Sequence, residues 1–173
     1  MSKPKTVAKF HKVPFHYYVD AVHTFEPNYD ETACFNNLEE LKLPARGTRM
    51  SAGYDFFADR DYTILPGGDV VVTTGVSISM DEGWFLALYP RSGMAFKTGL
   101  RLSNSTGIID GDFIYGNTRG HILVKILNHD SMEPIVIHKG DRFCQGIIQR
   151  YGLAEGDDAW KRQRTGGTGS TGA

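Results

Sequence analysis

Apolar positions fall into two regimes along the chain. From Tyr54 onward they come in short runs rich in β-branched and aromatic residues, broken by Gly, Pro and Asp about every ten residues, which predicts an all-β domain. DYTIL stops at Pro66-Gly67-Gly68, DVVVTTGVSISM is broken at Gly75, and WFLALYP follows the turn residues Asp81-Glu82-Gly83. In HILVKILN, Ile122, Val124 and Ile126 alternate with Leu123, Lys125 and Leu127, which predicts a strand covered largely on both faces, and so a closed or sandwiched sheet. FCQGIIQRY is the last run of this kind; past Gly152 the chain turns polar and then glycine-rich. The N-terminal segment follows a helical rhythm instead. FHYYVDAVHTF predicts a short amphipathic helix with Phe15, Val19 and Val22 on one face, and DETACFNNLEELKL a second one capped by Asp30. No internal repeat is visible, which disfavours a propeller or solenoid.

Length and charge narrow this picture. A chain of 173 residues predicts one domain that needs no disulfide to close its core. Its net charge of −1, with both signs interspersed, carries no electrostatic footprint of a nucleic-acid or membrane binder, so any anion must be held locally. Cys34 and Cys144 lack metal spacing, MSKPKTVAKF lacks the apolar core of a signal peptide, and no run is long enough to span a bilayer. The expectation is a soluble protein of a reducing compartment, the cytoplasm, or the host cytoplasm if the source is viral. The six histidines form no HxxxH or HExxH pattern, which argues against metal ligation by side chains.

Four stretches could carry chemistry. PRSGMAFKTGL (90–100) sets an arginine fork, a hydroxyl and a glycine between a strand end and a short helix, the parts of a phosphate cradle. A serine cap beside a surface arginine explains it as well, and on those residues alone better. GIIDGDF (107–113) puts Asp110 behind an apolar strand, as a general base or as a turn residue; Asp112, two residues on, would point the same way in an extended chain. GDRFCQG (140–146) brings Arg142 and Gln145 together, either for a ligand or to satisfy each other. No histidine stands ready to activate Cys144 between them. SAGYDFFA (51–58) is a strand entry that means little alone.

Taken in order with the tail RTGGTGSTGA (164–173), these stretches resemble the five motifs of the homotrimeric dUTP diphosphatases, here AGYD, PRSGMA, GIID, GDRFCQ and RTGGTGSTG. Each is weak alone; five in order over about residues 44–172 are specific. The resemblance implies a jelly-roll-type β-barrel over 44–160, preceded by an extension (1–43) and followed by a glycine-rich arm (161–173). It implies a homotrimer that hydrolyses dUTP to dUMP and pyrophosphate with Mg2+, which limits uracil incorporation into DNA and supplies dUMP for thymidylate synthesis. By motif position Asp110 activates the attacking water, Arg91, Ser92 and Gly93 form the phosphate loop, and Gln145 also reaches the phosphates. The metal would be held by the triphosphate and water, with Asp55 and Gln145 near those waters.

Asn104 stands where some relatives read the uracil edge, completed by the backbone of the loop through Gly107 and Ile109. Phe113 stands where the family usually has the tyrosine that packs on the sugar and rejects ribose. Tyr115 is the runner-up, because about five residues are inserted at 114–119 before Gly120. In the arm, Arg164 would face the γ-phosphate, while Gly166, Gly167, Gly169, Ser170 and Thr171 would supply donors from a neighbouring subunit. Thr168 replaces the phenylalanine that usually stacks on the base. Two other readings stand beside hydrolysis. A dCTP deaminase of similar fold would need a glutamate where this chain has Lys125, which disfavours it. A role in binding a regulatory protein would look to the extension and the 114–119 insertion.

Overall fold

A computed structural model describes residues 5–159. The arm residues named above, 164–171, lie outside that range. Twelve strands are described: β1 (Ala8–Lys12), β2 (Ala45–Arg46), β3 (Tyr54–Phe57), β4 (Tyr62–Ile64), β5 (Asp69–Thr73), β6 (Val76–Met80), β7 (Trp84–Pro90), β8 (Arg101–Leu102), β9 (Gly107–Ile109), β10 (Leu123–Leu127), β11 (Ile135–Ile137) and β12 (Arg142–Arg150). They form sheets ordered β2-β3-β12-β7-β9, β5-β10-β8, β1-β6 and β11-β4, with every pair antiparallel. The all-β expectation holds, and the breaks at Gly75 and Gly83 are turns with positive φ that glycine adopts without strain. Leu86, Leu88, Ile126, Ile137 and Phe143 meet in one core.

The expected helices are α1 (Phe15–Phe25) and α2 (Glu31–Glu40), and Asp30 does cap the second, accepting from the Ala33 N–H at 2.7 Å. Tyr18, Val22, Cys34 and Leu38 belong to the same core cluster as the strands, so the extension closes the barrel core rather than trailing from it. Phe15 departs from its expected face: it is exposed and packs edge-on against Phe35 of α2. An ionic cluster makes the joint. Asp59 and Arg60, both buried, pair at 2.6 Å; Asp59 also accepts from the hydroxyls of Tyr18 and Tyr62, and Arg60 donates to Glu26 at 2.6 Å.

Two expectations change. β10 is not covered on both faces: Val124 and Ile126 are buried, but Lys125 is exposed and pairs with Asp69 at 3.1 Å. Its apolar run reflects one core face plus half-buried leucines. β1 pairs with β6 across five residues although AKFHK was not expected as a strand; Phe10 is its one large apolar anchor, packed on Tyr54 and Phe56.

Candidate active site

The five-stranded sheet sets out the chemistry. Residues directly opposite each other in an antiparallel pair share a face, so Asp55, Gln145 and Tyr89 form one outward row and Ile147, Ala87 and Ile108 the next. Arg142 would lie on the opposite face from Gln145, three residues on, in a regular strand. A register shift between Arg142 and Cys144, where Phe143 is the extra residue, restores Arg142 to the outward face opposite Phe57. At the end of β7 the chain turns through Arg91 into α3 (Ser92–Thr98). Arg91 is itself the cap residue, in extended conformation, and Ser92 opens the helix, so the simple reading of Ser92 as a cap fails.

These elements enclose a cleft of about 510 Å3 lined by Asp55, Arg91, Ser92, Arg142 and Gln145, with Gly47, Thr48 and Ser51 of the β2–β3 loop on its far side. Asp55 is its electrostatic centre. One carboxylate oxygen accepts from Arg91 Nε at 2.8 Å and the other from Arg142 Nη1 at 3.3 Å. Arg142 and Gln145 therefore do not satisfy each other: the Gln145 amide donates instead to the Pro90 carbonyl at 3.2 Å, because the bulge turns Arg142 toward β3. Gln145 also explains Gly53, where a Cβ would stand 2.4 Å from Gln145 Oε1. The balance of two guanidiniums against one carboxylate suits the cleft to an anion with several oxygens.

The β2–β3 loop was missed by motif reading, as was the part of Arg142. Arg46 braces that loop by donating to the carbonyls of Arg49 and Ser51 at 3.0 and 3.1 Å, while the Thr48 and Ser51 hydroxyls meet at 2.8 Å. The signal available was the small polar run GTRMS directly before AGYD.

The other sequence candidates stand elsewhere. Asn104 lies exposed in the turn before β9, Gly107 and Ile109 are in β9, and Asp110 follows it. Gly107 is packed so closely that a Cβ would meet the Leu88 side chain at 3.2 Å. Asp110 opens a turn rather than continuing extended, its carbonyl accepting from the Phe113 N–H at 3.1 Å. Phe113 is 7% exposed and Tyr115 76%, at the two ends of a short 3-10 turn (Phe113–Tyr115), and the loop closes at Gly120, whose φ of 70° lets it pass the Ile114 backbone. Gly93, in the first turn of α3, is exposed.

Strand register separates these two groups. Ile109 faces Leu86 on β7, and Arg91 is five residues further along, about 17 Å at the usual rise. Asp110 follows Ile109 and so lies beyond that end of the paired strands. Between the two ends run Ile147, Ala87 and Ile108, the last 54% exposed. Cys144 is fully buried, and burial pushes its thiol well above the ordinary range, so it is no nucleophile. Among the described residues no three His, Cys, Asp or Glu side chains gather as a metal site, and no helix is long and apolar enough to cross a membrane.

Comparison with known proteins agrees with this architecture. The dUTPase family profile matches residues 39–172. The deoxyuridine 5'-triphosphate nucleotidohydrolase of Lactococcus lactis subsp. lactis is 40% identical over 136 residues, 77% of this chain and 89% of that protein. The enzyme of the same name from Mycobacterium sp. (strain JLS) is 38% identical over 140 residues, covering 78% and 88%. Among solved structures, dUTPase from Streptococcus mutans superposes with a TM-score of 0.61 at 38% identity, over 66% of this chain and 89% of that one. A mutant dUTPase from phage phi11 of S. aureus, studied for coordination of a structural Mg(II) ion, shares the fold with a TM-score of 0.64 at 20% identity, covering 88% and 96%. The strands are thus those of the family's jelly-roll fold, and with five motifs in order and a profile match over most of its length, the chain belongs to the dUTPase family.

Proposed function

We propose that the protein hydrolyses dUTP to dUMP and pyrophosphate, with Asp110 as the base that activates water for in-line attack at the α-phosphorus. The observation that carries this reading is the cleft in which Arg91, Ser92 and Gln145, drawn from two separate motifs, converge beside Asp55. A guanidinium fork and an amide N–H are suited to the charge that builds on phosphoryl oxygens during transfer. Gln145, tethered to Pro90 by one N–H, keeps its second for the ligand.

Asp110 cannot serve that cleft within its own copy, being more than about 17 Å from it along β7. The reading therefore includes a homotrimer in which the outward face of one copy brings its Asp110 end to the cleft of another. The exposed Ile108 and half-buried Ile147 and Phe85 support an association along that face. Asn104, Gly107 and Ile109 travel with Asp110 and take the uracil side. Of the two rings, Tyr115 is the one a single copy offers to a sugar, whereas Phe113 would need the loop to move. The reading keeps the division into extension 1–43, barrel 44–160 and an arm 161–173 whose Arg164 to Thr171 would close over the nucleotide from a neighbour.

Bound Mg2+ would neutralise the triphosphate and fix its geometry. The cleft fits an ion held by substrate oxygens and water, since Asp55, the one carboxylate among its described lining residues, is already engaged by two guanidiniums. The place of action is the cytoplasm, where such hydrolysis restrains uracil incorporation and feeds thymidylate synthesis. Deamination of dCTP is not supported, because Lys125 sits on an exposed strand face paired with Asp69.

The test is pyrophosphate release from each deoxynucleoside triphosphate with magnesium. Turnover of dUTP alone is expected, and Asp110→Asn should lose at least about a hundredfold in kcat while still binding nucleotide. Deoxyuridine products from dCTP, or near-normal turnover in the variant, would overturn the assignment.

A further inference from the structure

The two helices of the extension stand within the strand order rather than ahead of it: β1 pairs with β6 before them, and β2 pairs with β3 after them. α2 therefore runs through Leu41 and Pro44 directly into β2 and the 47–51 loop on the far side of the cleft. It also reaches the strand that furnishes Arg142 and Gln145. Lys139, in the turn between β11 and β12, donates from Nζ to Asn37 Oδ1 at 2.8 Å and to Glu40 Oε2 at 2.7 Å, both on α2. Asn37 is 6% exposed and is fixed in turn by donating to the Tyr29 hydroxyl at 2.9 Å.

This joint is bonded rather than packed. A cavity of about 200 Å3 lies between α2 and the turn, lined by Leu41, Phe57 and Gly140, with Glu40 and Lys139 at its wall. A Cβ on Gly140 would meet nothing within 4 Å, so hydrogen bonds place the turn. The Lys139 N–H donates to Asp61 Oδ1 at 2.7 Å, the Gly140 N–H to the Ala58 carbonyl and the Ala58 N–H to the Asp141 carbonyl, each at 2.8 Å. The same corner, residues 58–61, holds α1, since Asp59 accepts from Tyr18 and Arg60 donates to Glu26. What the turn governs is the phase of β12. The shift that brings Arg142 to the cleft face begins at Arg142 itself, three residues after Lys139.

We propose that Lys139, gripped by Asn37 and Glu40, is a positioning residue that fixes the entry of β12, so that α2 sets where the Arg142 guanidinium stands in the cleft. The inference rests on reading the cleft as an anion site but not on the identity of the base. An exposed lysine–glutamate pair adds little to stability. A bulge, however, has a regular register as its alternative, and in that register Arg142 faces away from the cleft. A tether that favours one register over the other acts on ligand affinity more than on the melting point.

Steady-state hydrolysis of dUTP with magnesium, beside a thermal melt, tests this on the full-length protein, Lys139→Met, Lys139→Arg, Glu40→Lys, and Lys139→Met in an Arg142→Ala background. A positioning lysine predicts that Lys139→Met raises KM about fivefold with kcat within about twofold, and that Lys139→Arg recovers KM to within about twofold of the parent. Once Arg142 is alanine, Lys139→Met should add nothing further. Glu40→Lys supplies the sign: it adds positive charge, so general attraction for a polyanion would lower KM, whereas a broken tether raises it about threefold. Its side chain is 67% exposed, so this variant keeps the test open should Lys139→Met fail to fold. An unmoved KM, a lower KM in Glu40→Lys, an undiminished effect in the Arg142→Ala background, or a change in melting temperature alone would overturn the proposal. A parent that leaves dUTP intact would overturn the functional reading instead; the same comparison, made on the calorimetric Kd of inorganic triphosphate, then decides this one.

Discussion

Gln145 is held from two sides, and the tighter side is an absence. Its amide reaches Pro90, while its oxygen occupies the space that a side chain at position 53 would fill. Gly53→Ala should push the amide off that tether with little cost to folding, since the colliding atom is the end of a flexible side chain. We expect kcat/KM to fall about tenfold with a melting temperature within a few degrees of the parent, read by steady-state kinetics and thermal denaturation. At this scale Arg91, Ser92, Gln145 and Asp55 stand out in the sequence as motif residues, and in the structure they line one cleft. Arg142 was legible only as a possible partner of Gln145. Alternation along a strand sends those two to opposite faces, and the single extra residue that reverses this leaves no mark in the pattern of apolar and polar positions.

The helices of the extension are tied on by an ionic cluster as well as by apolar contact. Arg60 is buried between Asp59 and Glu26, with the rings of Tyr29 and Tyr62 at 5.0 and 4.7 Å. Removing it leaves Asp59 buried among hydroxyls with no counter-charge, so Arg60→Ala should cost roughly 3–5 kcal/mol and lower the melting temperature by about 10 °C. A melting curve within about 2–3 °C of the parent would show that the hydroxyls of Tyr18, Tyr62 and Thr73 carry Asp59 unaided. Nothing in ADRDY announces this cluster, which is assembled from four segments by the fold. Elements with a long apolar run, such as β7 and β12, were legible by that run and the turn residues that bound it. β1 was not, because it borrows its coverage from β6 and carries only one large apolar side chain.

The whole molecule meets acid at one seam. His121 is 2% exposed, its Nε2 accepts the Gly75 N–H at 3.0 Å, and the Gly75 carbonyl in turn accepts from Val13 just before α1. Burial lowers its pKa from the ordinary 6.5 to about 4. The unfolded chain thus binds a proton that the native state refuses between those values. Stability should be complete above about pH 6.5 and fall on acidification toward about pH 4, by on the order of 3 kcal/mol from this residue. His121→Gln, whose amide oxygen can take the same N–H, should flatten that part of the profile in chemical denaturation across pH. An unchanged slope would place the acid sensitivity elsewhere.

The distance along β7 between Arg91 and Asp110 has a consequence of a genetic kind. If base and phosphate cleft must come from different chains, a lesion in one and a lesion in the other are not the same lesion. Arg91→Ala and Asp110→Asn chains, each inert alone, should complement one another when co-expressed, since an intact cleft on one chain then meets an intact carboxylate on its neighbour in about a quarter of the sites of randomly mixed assemblies. Two silent alleles would together restore activity, and their single-chain double mutant, mixed with either, would not.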